Sequence, residues 1–277
     1  MSDFVRQNAV ETDFSTSDSW VILSPSELSI KRKIEAVGTP VKDWDINIYR
    51  GVLTGCNEAF IISTEKRNEI LNNCQSPEER KRTEELIRPI LRGRDIKRYG
   101  YDWAGLWLIN SHNGVKGKHD RIHIEDYPSV KAHLDQFWDK ISNRADKGDT
   151  PYNLRNCAYL DDFSKPKIVY QELCRKGTAF AIDDKAMFLG NTGYILTSDV
   201  LSIDELGRLC ELLNSAVSLY QLDVICTKFD ETGWRWLRQF VECVRLPKSL
   251  THWHKSFNFT HEEISFIASK YNHVLLD

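Results

Sequence analysis

"GYILTSDVLSIDELGRLCELLNSAVSLYQL", residues 193–222, passes from one periodicity to another. "GYILTS" has the β-branched and aromatic content of a strand. Downstream, Leu206, Leu209, Leu213, Val217 and Tyr220 recur at three- and four-residue spacings, the apolar face of a core helix. Between them Ser202 and Glu205 mark a helix start, because a serine hydroxyl and a reciprocal glutamate satisfy the orphan amides of a first turn. The stretch therefore reads as a strand feeding one long amphipathic helix.

The same two signals recur along the chain. Ser24-Pro25-Ser26-Glu27 and Ser76-Pro77-Glu78-Glu79 add a proline at the first helical position, and Thr260 with Glu263 repeats the capping pair. Gly38 is the expected stop of the first helix, and a further helix is expected from Pro128 through "SVKAHLDQFWDKISNRA", with Val130, Leu134, Phe137 and Ile141 inward. Strand-like runs are "INIYRG", "AFIIS", "GLWLINS", "PKIVYQEL", "TAFAID" and "GYILTS". They interleave irregularly with helices, which predicts an α+β fold of mixed sheets with packed helices rather than a regular doubly wound sheet. Residues 1–20 are polar and read as a leader or linker, and no internal repeat is visible.

With 37 basic and 40 acidic side chains among 277 residues, the formal charge of −3 argues against indiscriminate coating of nucleic acid. Local charge is different. "LIRPILRGRDIKRYG" (86–100) carries five cations, and from Arg80 to Arg98 eight positive residues face three negative ones. Pro89 is expected to end a helix there and Gly93 to turn the chain, presenting the cations on a loop. No apolar run approaches bilayer thickness and the first residues lack a secretory signal, so a cytoplasmic location is the default expectation. The seven scattered cysteines form no CxxC pair and indicate neither a disulfide framework nor a zinc site.

Catalytic patterns are weak. None of the fourteen glycines forms GxGxxG or a P-loop. Glu79-Arg80-Lys81 matches the acidic-x-lysine element of metal-dependent nucleases, but no aspartate between Asp45 and Asp95 supplies its partner, and a solvated helix face is the competing reading. Asp149-Thr150-Pro151-Tyr152 falls one proline short of the loop by which amino-methyltransferases hold a flipped base. His119 and His123 have the spacing of a helical zinc pair without its glutamate, and His252-Trp253-His254 reads as surface. Neither a catalytic nor a metal site is expected in this chain.

Six segments in order carry a family resemblance: "YRGVLTGCNEAFIIS" (49–63), "IRPILRGRDIKRYG" (87–100), "PYNLR" (151–155), "PKIVYQE" (166–172), "FLGNTGYIL" (188–196) and "LLNSAVSLY" (212–220). Together they resemble the TaqI-like C-terminal specificity domain, the target recognition domain of restriction-modification enzymes, over roughly residues 45–248. The resemblance implies a fold akin to the recognition domains of type I specificity subunits, and sequence-specific binding of double-stranded DNA. It also implies partnership with an upstream methyltransferase or nuclease domain or subunit. Residues 1–44 are then expected to be the tail of such a core with a connecting helix, residues 45–250 the recognition domain, and residues 251–277 a helical extension, the chain being an excised or split portion. S-adenosylmethionine and magnesium would serve the parent enzyme, an expected site-specific adenine methyltransferase with or without endonuclease activity, and no cofactor is expected in this chain.

DNA recognition needs cations and amides on phosphates and paired donors or acceptors on base edges. Arg92, Arg94, Lys97 and Arg98 are the phosphate candidates, against a competing salt-bridge cluster with Glu84, Glu85 and Asp95. Thr54 and Asn57, in the loop between Gly51 and Gly55, are expected near DNA, unless Asn57 merely caps its own turn. Gln171, Arg175 and Lys176, around a turn at Gly177, are base-reading candidates or an ordinary hairpin tip. Lys228, Arg235 and Arg238 accompany Trp234 and Trp236, whose alternation would place both rings on one strand face and Arg235 on the other. Lys116, Tyr152 and Arg155 complete the candidates, while Asn191 and Thr192 read as a structural turn. Two other classes stay open: a protein-interaction or regulatory module of a phage-defence system that keeps the fold without DNA binding, and a nuclease with an unrecognised site.

Overall fold

The computed structural model describes residues 23–175, 179–248 and 253–270. The polar leader, Lys176 with its expected turn at Gly177, and His252 lie outside the described residues, as do the side chains of Trp253 and His254.

In chain order, α1 (Pro25–Val37) leads to β1 (Thr39–Pro40) and β2 (Ile46–Arg50). A short α2 (Asn57–Phe60) runs into β3 (Ile61–Ser63) and α3 (Thr64–Asn72). Helix α4 (Pro77–Leu86) continues directly into β4 (Ile87–Leu91), followed by β5 (Ile96–Lys97), β6 (Gly100–Tyr101) and β7 (Leu106–Ile109). Helices α5 (Pro128–Asp135) and α6 (Trp138–Asn143) precede β8 (Lys167–Gln171), β9 (Leu173–Arg175), β10 (Ala181–Asp183), β11 (Phe188–Leu189) and β12 (Gly193–Ser198). Then come α7 (Ile203–Leu213), α8 (Ala216–Ile225), β13 (Thr227–Asp230), β14 (Gly233–Arg235), α9 (Arg238–Val241), β15 (Arg245–Leu246), α10 (Trp253–Ser256) and α11 (His261–Lys270).

The predicted α+β class is the fold observed. A central antiparallel sheet, in the order β10-β8-β12-β2, separates two hydrophobic cores. Ile168 and Tyr170 of β8 enter one core and Val169 the other; on β12, Tyr194 and Leu196 oppose Ile195 in the same way. Burial on both faces is why these strands are apolar at almost every position. The first core takes in α1, α7 and α8 through Ile30, Ile34, Leu206, Leu209 and Val217, together with Phe257 and Ile267 near the C-terminus. The second joins a sheet in the order β11-β4-β7-β3 to α5 through Ile90, Leu108, Val130 and Leu134. Each such leucine or isoleucine stabilises the fold by about 1.5–3 kcal/mol. A third sheet, β13-β14-β9, continues from the edge where β8 ends.

The capping boxes at Ser24/Glu27 and Ser202/Glu205 are formed, and the Gly38 amide closes α1 on the Ile34 carbonyl as expected. Four expectations change. The long helix at 203–222 is two helices, because Asn214 caps the first and its amide also pairs with both backbone groups of Phe180, while Ser215 caps the second. The helix from Pro128 is likewise divided, between Asp135 and Trp138. Pro89 does not end a helix: α4 stops at Leu86 and Pro89 lies within β4. It sits in the half of the strand paired with β7, before β11 takes over at Ile90, so a proline is tolerated there with a partner on one side only. The run "AFIIS" is half helix and half strand.

Candidate functional site

Four chain segments converge where β2, β4 and β8 end and β12 begins. The amide of Gly51 donates to the Gly193 carbonyl, that of Gly190 to Leu91, and that of Glu172 to Thr192, each at 2.9 Å. The Gly93 amide reaches the Thr192 hydroxyl at 2.9 Å, joining the basic turn to the Asn191-Thr192 turn. Two glycines permit this approach. A Cβ on Gly51 would stand 2.1 Å from the Gly190 carbonyl oxygen, and one on Gly93 would stand 2.5 Å from that of Thr192.

The convergence forms a groove of about 660 Å³. Arg50, Arg92, Arg94 and Arg175 line it with Asn57, Gln171, Glu172, Asn191 and Thr192, and with the apolar side chains of Ile61, Leu173 and Phe229. Four arginines thus line one groove in a chain of net charge −3. Most of these guanidinium groups are already oriented by an internal partner. Arg50 bonds Glu172 at 2.5 Å and Arg235 approaches the other oxygen of that carboxylate at 3.6 Å. Arg92 grips the buried Asp95 at 2.6 Å, and this bonding raises its affinity for the proton. Arg175 closes both terminal nitrogens on Asp230 and lies over the Phe229 ring, 5.1 Å from its centroid. Arg94 is exposed, and among the described residues no ion pair involves its side chain. The groove therefore presents one unengaged guanidinium within a fixed frame of ion-paired arginines.

The basic run at 92–98 is split by its 3₁₀ turn at Gly93–Asp95. Arg92 and Arg94 enter the groove, whereas Lys97 folds back to the Arg94 carbonyl and Arg98 lies over the Tyr99 ring and donates to the Asn214 carbonyl. The competing salt-bridge cluster is only partly formed: Asp95 holds Arg92, but Glu84 pairs with Arg80 on its own helix. Asn57 lines the groove, while Thr54 is buried and its hydroxyl donates to the Asn57 side chain, making it a support rather than a surface contact. Gln171 lines the groove with its amide nitrogen on the Leu173 carbonyl. Asn191 and Thr192, read from sequence as structural, are at the groove itself.

The family model of the TaqI-like C-terminal specificity domain matches residues 88–233, more than half of the chain. The chain belongs to that family. Among solved structures, it is similar to the type IIG restriction endonuclease BpuSI, with 12% identity and a TM-score of 0.51 over 90% of this chain and 28% of that one. It is also similar to the type IIL restriction-modification enzyme MmeI in complex with DNA, with 14% identity and a TM-score of 0.49 over 71% of this chain and 24% of that one. The chain spans about a quarter of the length of these two enzymes. No curated protein matches it.

Within this specificity domain the remaining candidates lie apart from the groove lining. Lys116 is exposed in a second concavity of about 720 Å³, beside Lys118, His119 and Arg121. His119 contacts Asp161 at 2.5 Å and not His123, and among the described residues no cluster of His, Cys, Asp or Glu is arranged to hold a metal. Arg155 pairs with Asp146 and the Tyr152 hydroxyl donates to Asp135, which fixes that tyrosine structurally. Glu79 is buried, accepting from the Gln75 and Ser129 amides, so it docks its helix instead of belonging to a solvated face, while Arg80 and Lys81 are exposed. Arg238 pairs with Glu242 one turn on, and Lys228 stacks over Trp234 near Asp223. Trp236 is buried and Trp234 packs against the same core, as their alternation with Arg235 predicts. Arg50 is the groove arginine that sequence reasoning missed; its signal was a charged strand end directly before Gly51.

Proposed function

We propose that this chain recognises a sequence in double-stranded DNA by laying the 660 Å³ groove against the duplex. The observation that carries this reading is the convergence of four arginines from separate segments on one groove, in a chain whose total charge is slightly negative. Membership of a specificity-domain family supports it. Arginines already held by Glu172, Asp95 and Asp230 keep their geometry before DNA arrives, so less side-chain entropy is lost on contact. Arg94, with Asn57, Asn191 and Thr192 beside it, supplies donors and acceptors for phosphate and base edges.

In this reading the domain is one part of a type IIG-like restriction-modification enzyme. It places an adenine-N6 methyltransferase, and a nuclease where present, on the bound site. S-adenosylmethionine and magnesium would be used by those other parts. Arg94→Glu tests the groove directly. Its side chain is exposed, so the variant is expected to fold as the parent does while losing about tenfold or more in affinity for duplex DNA, since one phosphate-facing cation is replaced by an anion. Unchanged affinity in a fluorescence anisotropy titration would favour the protein-interaction reading instead.

A further inference from the structure

The sheet β13-β14-β9 has a dry face and a wet one. Cys174 and Trp234 are paired across it and belong to the first core, whereas Leu173, Arg175 and Arg235 alternate to the opposite face. On that wet face Leu173 is 47% exposed and Phe229 is 37% exposed, and both line the arginine groove. Phe229 is the extra residue of a bulge between Lys228 and Asp230. Its ring lies against Gly233, where a Cβ would stand 2.2 Å from the ring edge, and the Arg175 guanidinium covers it. Bulge, glycine and stacked guanidinium together hold an aromatic ring at the surface instead of letting it fold into the core.

Arg175 has consequences for readout. The fork that would grip the O6 and N7 atoms of guanine is closed on Asp230, so this arginine is a positioning residue for Phe229. What the wet face offers to a duplex is therefore apolar surface within a frame of ion-paired arginines. We propose that Leu173 and Phe229 form a platform that reads the 5-methyl group of thymine in the major groove of the recognised sequence. This rests on the DNA reading of the groove and names the chemistry of one base contact within it. Thymine is the base that presents a methyl group there, and apolar side chains are the groups that distinguish it from cytosine.

The experiment selects duplexes bound by the full chain from a randomised pool, then replaces each thymine of the selected site by deoxyuridine, which deletes only the methyl group. At one thymine position the wild type should bind about fourfold more weakly to the deoxyuridine duplex, the effect of one buried methyl group. Leu173→Ala and Phe229→Ala should bind the thymine and deoxyuridine duplexes equally while keeping the salt dependence of the wild type. Both side chains are exposed, and a melting temperature within a few degrees of the wild type will confirm folding. A selected site at which deoxyuridine is neutral at every position overturns the methyl readout and leaves DNA recognition standing. Enrichment of no duplex removes DNA recognition, and this contact with it.

Discussion

Lys167 is the most unusual single residue in the described fold: an ammonium with no solvent exposure, paired at 2.5 Å with the equally buried Asp183. Burial lowers its proton affinity and Asp183 opposes that effect. The ammonium also donates to the Phe163 carbonyl at 2.6 Å, and Asp183 accepts from the Tyr101 hydroxyl and the amides of Lys185 and Met187. The pair thus ties β8 and β10 to Phe163, Tyr101 and the turn at Lys185–Met187 on the second-core face of the central sheet. Lys167→Met removes one charge and strands the other, which is expected to cost about 3–5 kcal/mol. Equilibrium urea unfolding measures this, and a loss below about 1 kcal/mol would show that Asp183 finds another partner. Nothing in "KPKIVYQE" announced the pair, because a lysine at a strand start is ordinarily solvated and its partner lies sixteen residues away. At the same scale Arg50 went unread, whereas Arg92, Arg94 and Arg175 were legible as clustered charge. Which charges were already paired depended on Asp95 and Asp230, whose placement is set by a turn and a bulge.

At the scale of elements, local signals succeeded where they were self-contained. Capping boxes name their own partners within four residues, and "PKIVYQEL" reads correctly as strand, with Ile168, Val169 and Tyr170 its apolar residues. They failed at the break in residues 203–222, where helical periodicity continues across Asn214 but the amide is captured by the distant Phe180 backbone. Helix α11 shows how such distant contacts work. Glu263 caps it by accepting the Thr260 amide and also accepts from Lys33 and Ser29 of α1. Burial alone would raise its carboxyl, but these hydrogen bonds and the Lys33 charge outweigh it and hold the pKa at about 2. A carboxyl depressed in the folded state contributes stability that is present above its unfolded value of 4.5 and is lost as pH falls toward about 2. Wild-type stability should therefore decline through that window, with Glu263→Gln less stable at neutral pH and flatter across it. Chemical unfolding at pH 7, 4.5 and 3 checks this. Parallel pH profiles for the two proteins would show that the carboxylate does not fasten α11 to α1.

At the scale of the molecule, a two-core fold uses its central sheet as a girder and gathers the strand ends of β2, β8 and β12 with that of β4 from the second sheet. The family order of segments pointed to the fold in the sequence but not to this arrangement, because only their convergence in space makes the arginines a surface. Family membership accounts for the fold, and the groove accounts for how such a fold would meet DNA. The whole-molecule consequence is electrostatic: a chain of net charge −3 should bind duplex only through this local field. Affinity measured by fluorescence anisotropy between 50 and 200 mM salt is the most direct check. If Arg50, Arg92 and Arg94 of the groove engage phosphates, log K should fall against log salt with a slope of about −3. Binding that does not change with salt, or no binding at the lowest salt, would contradict the account.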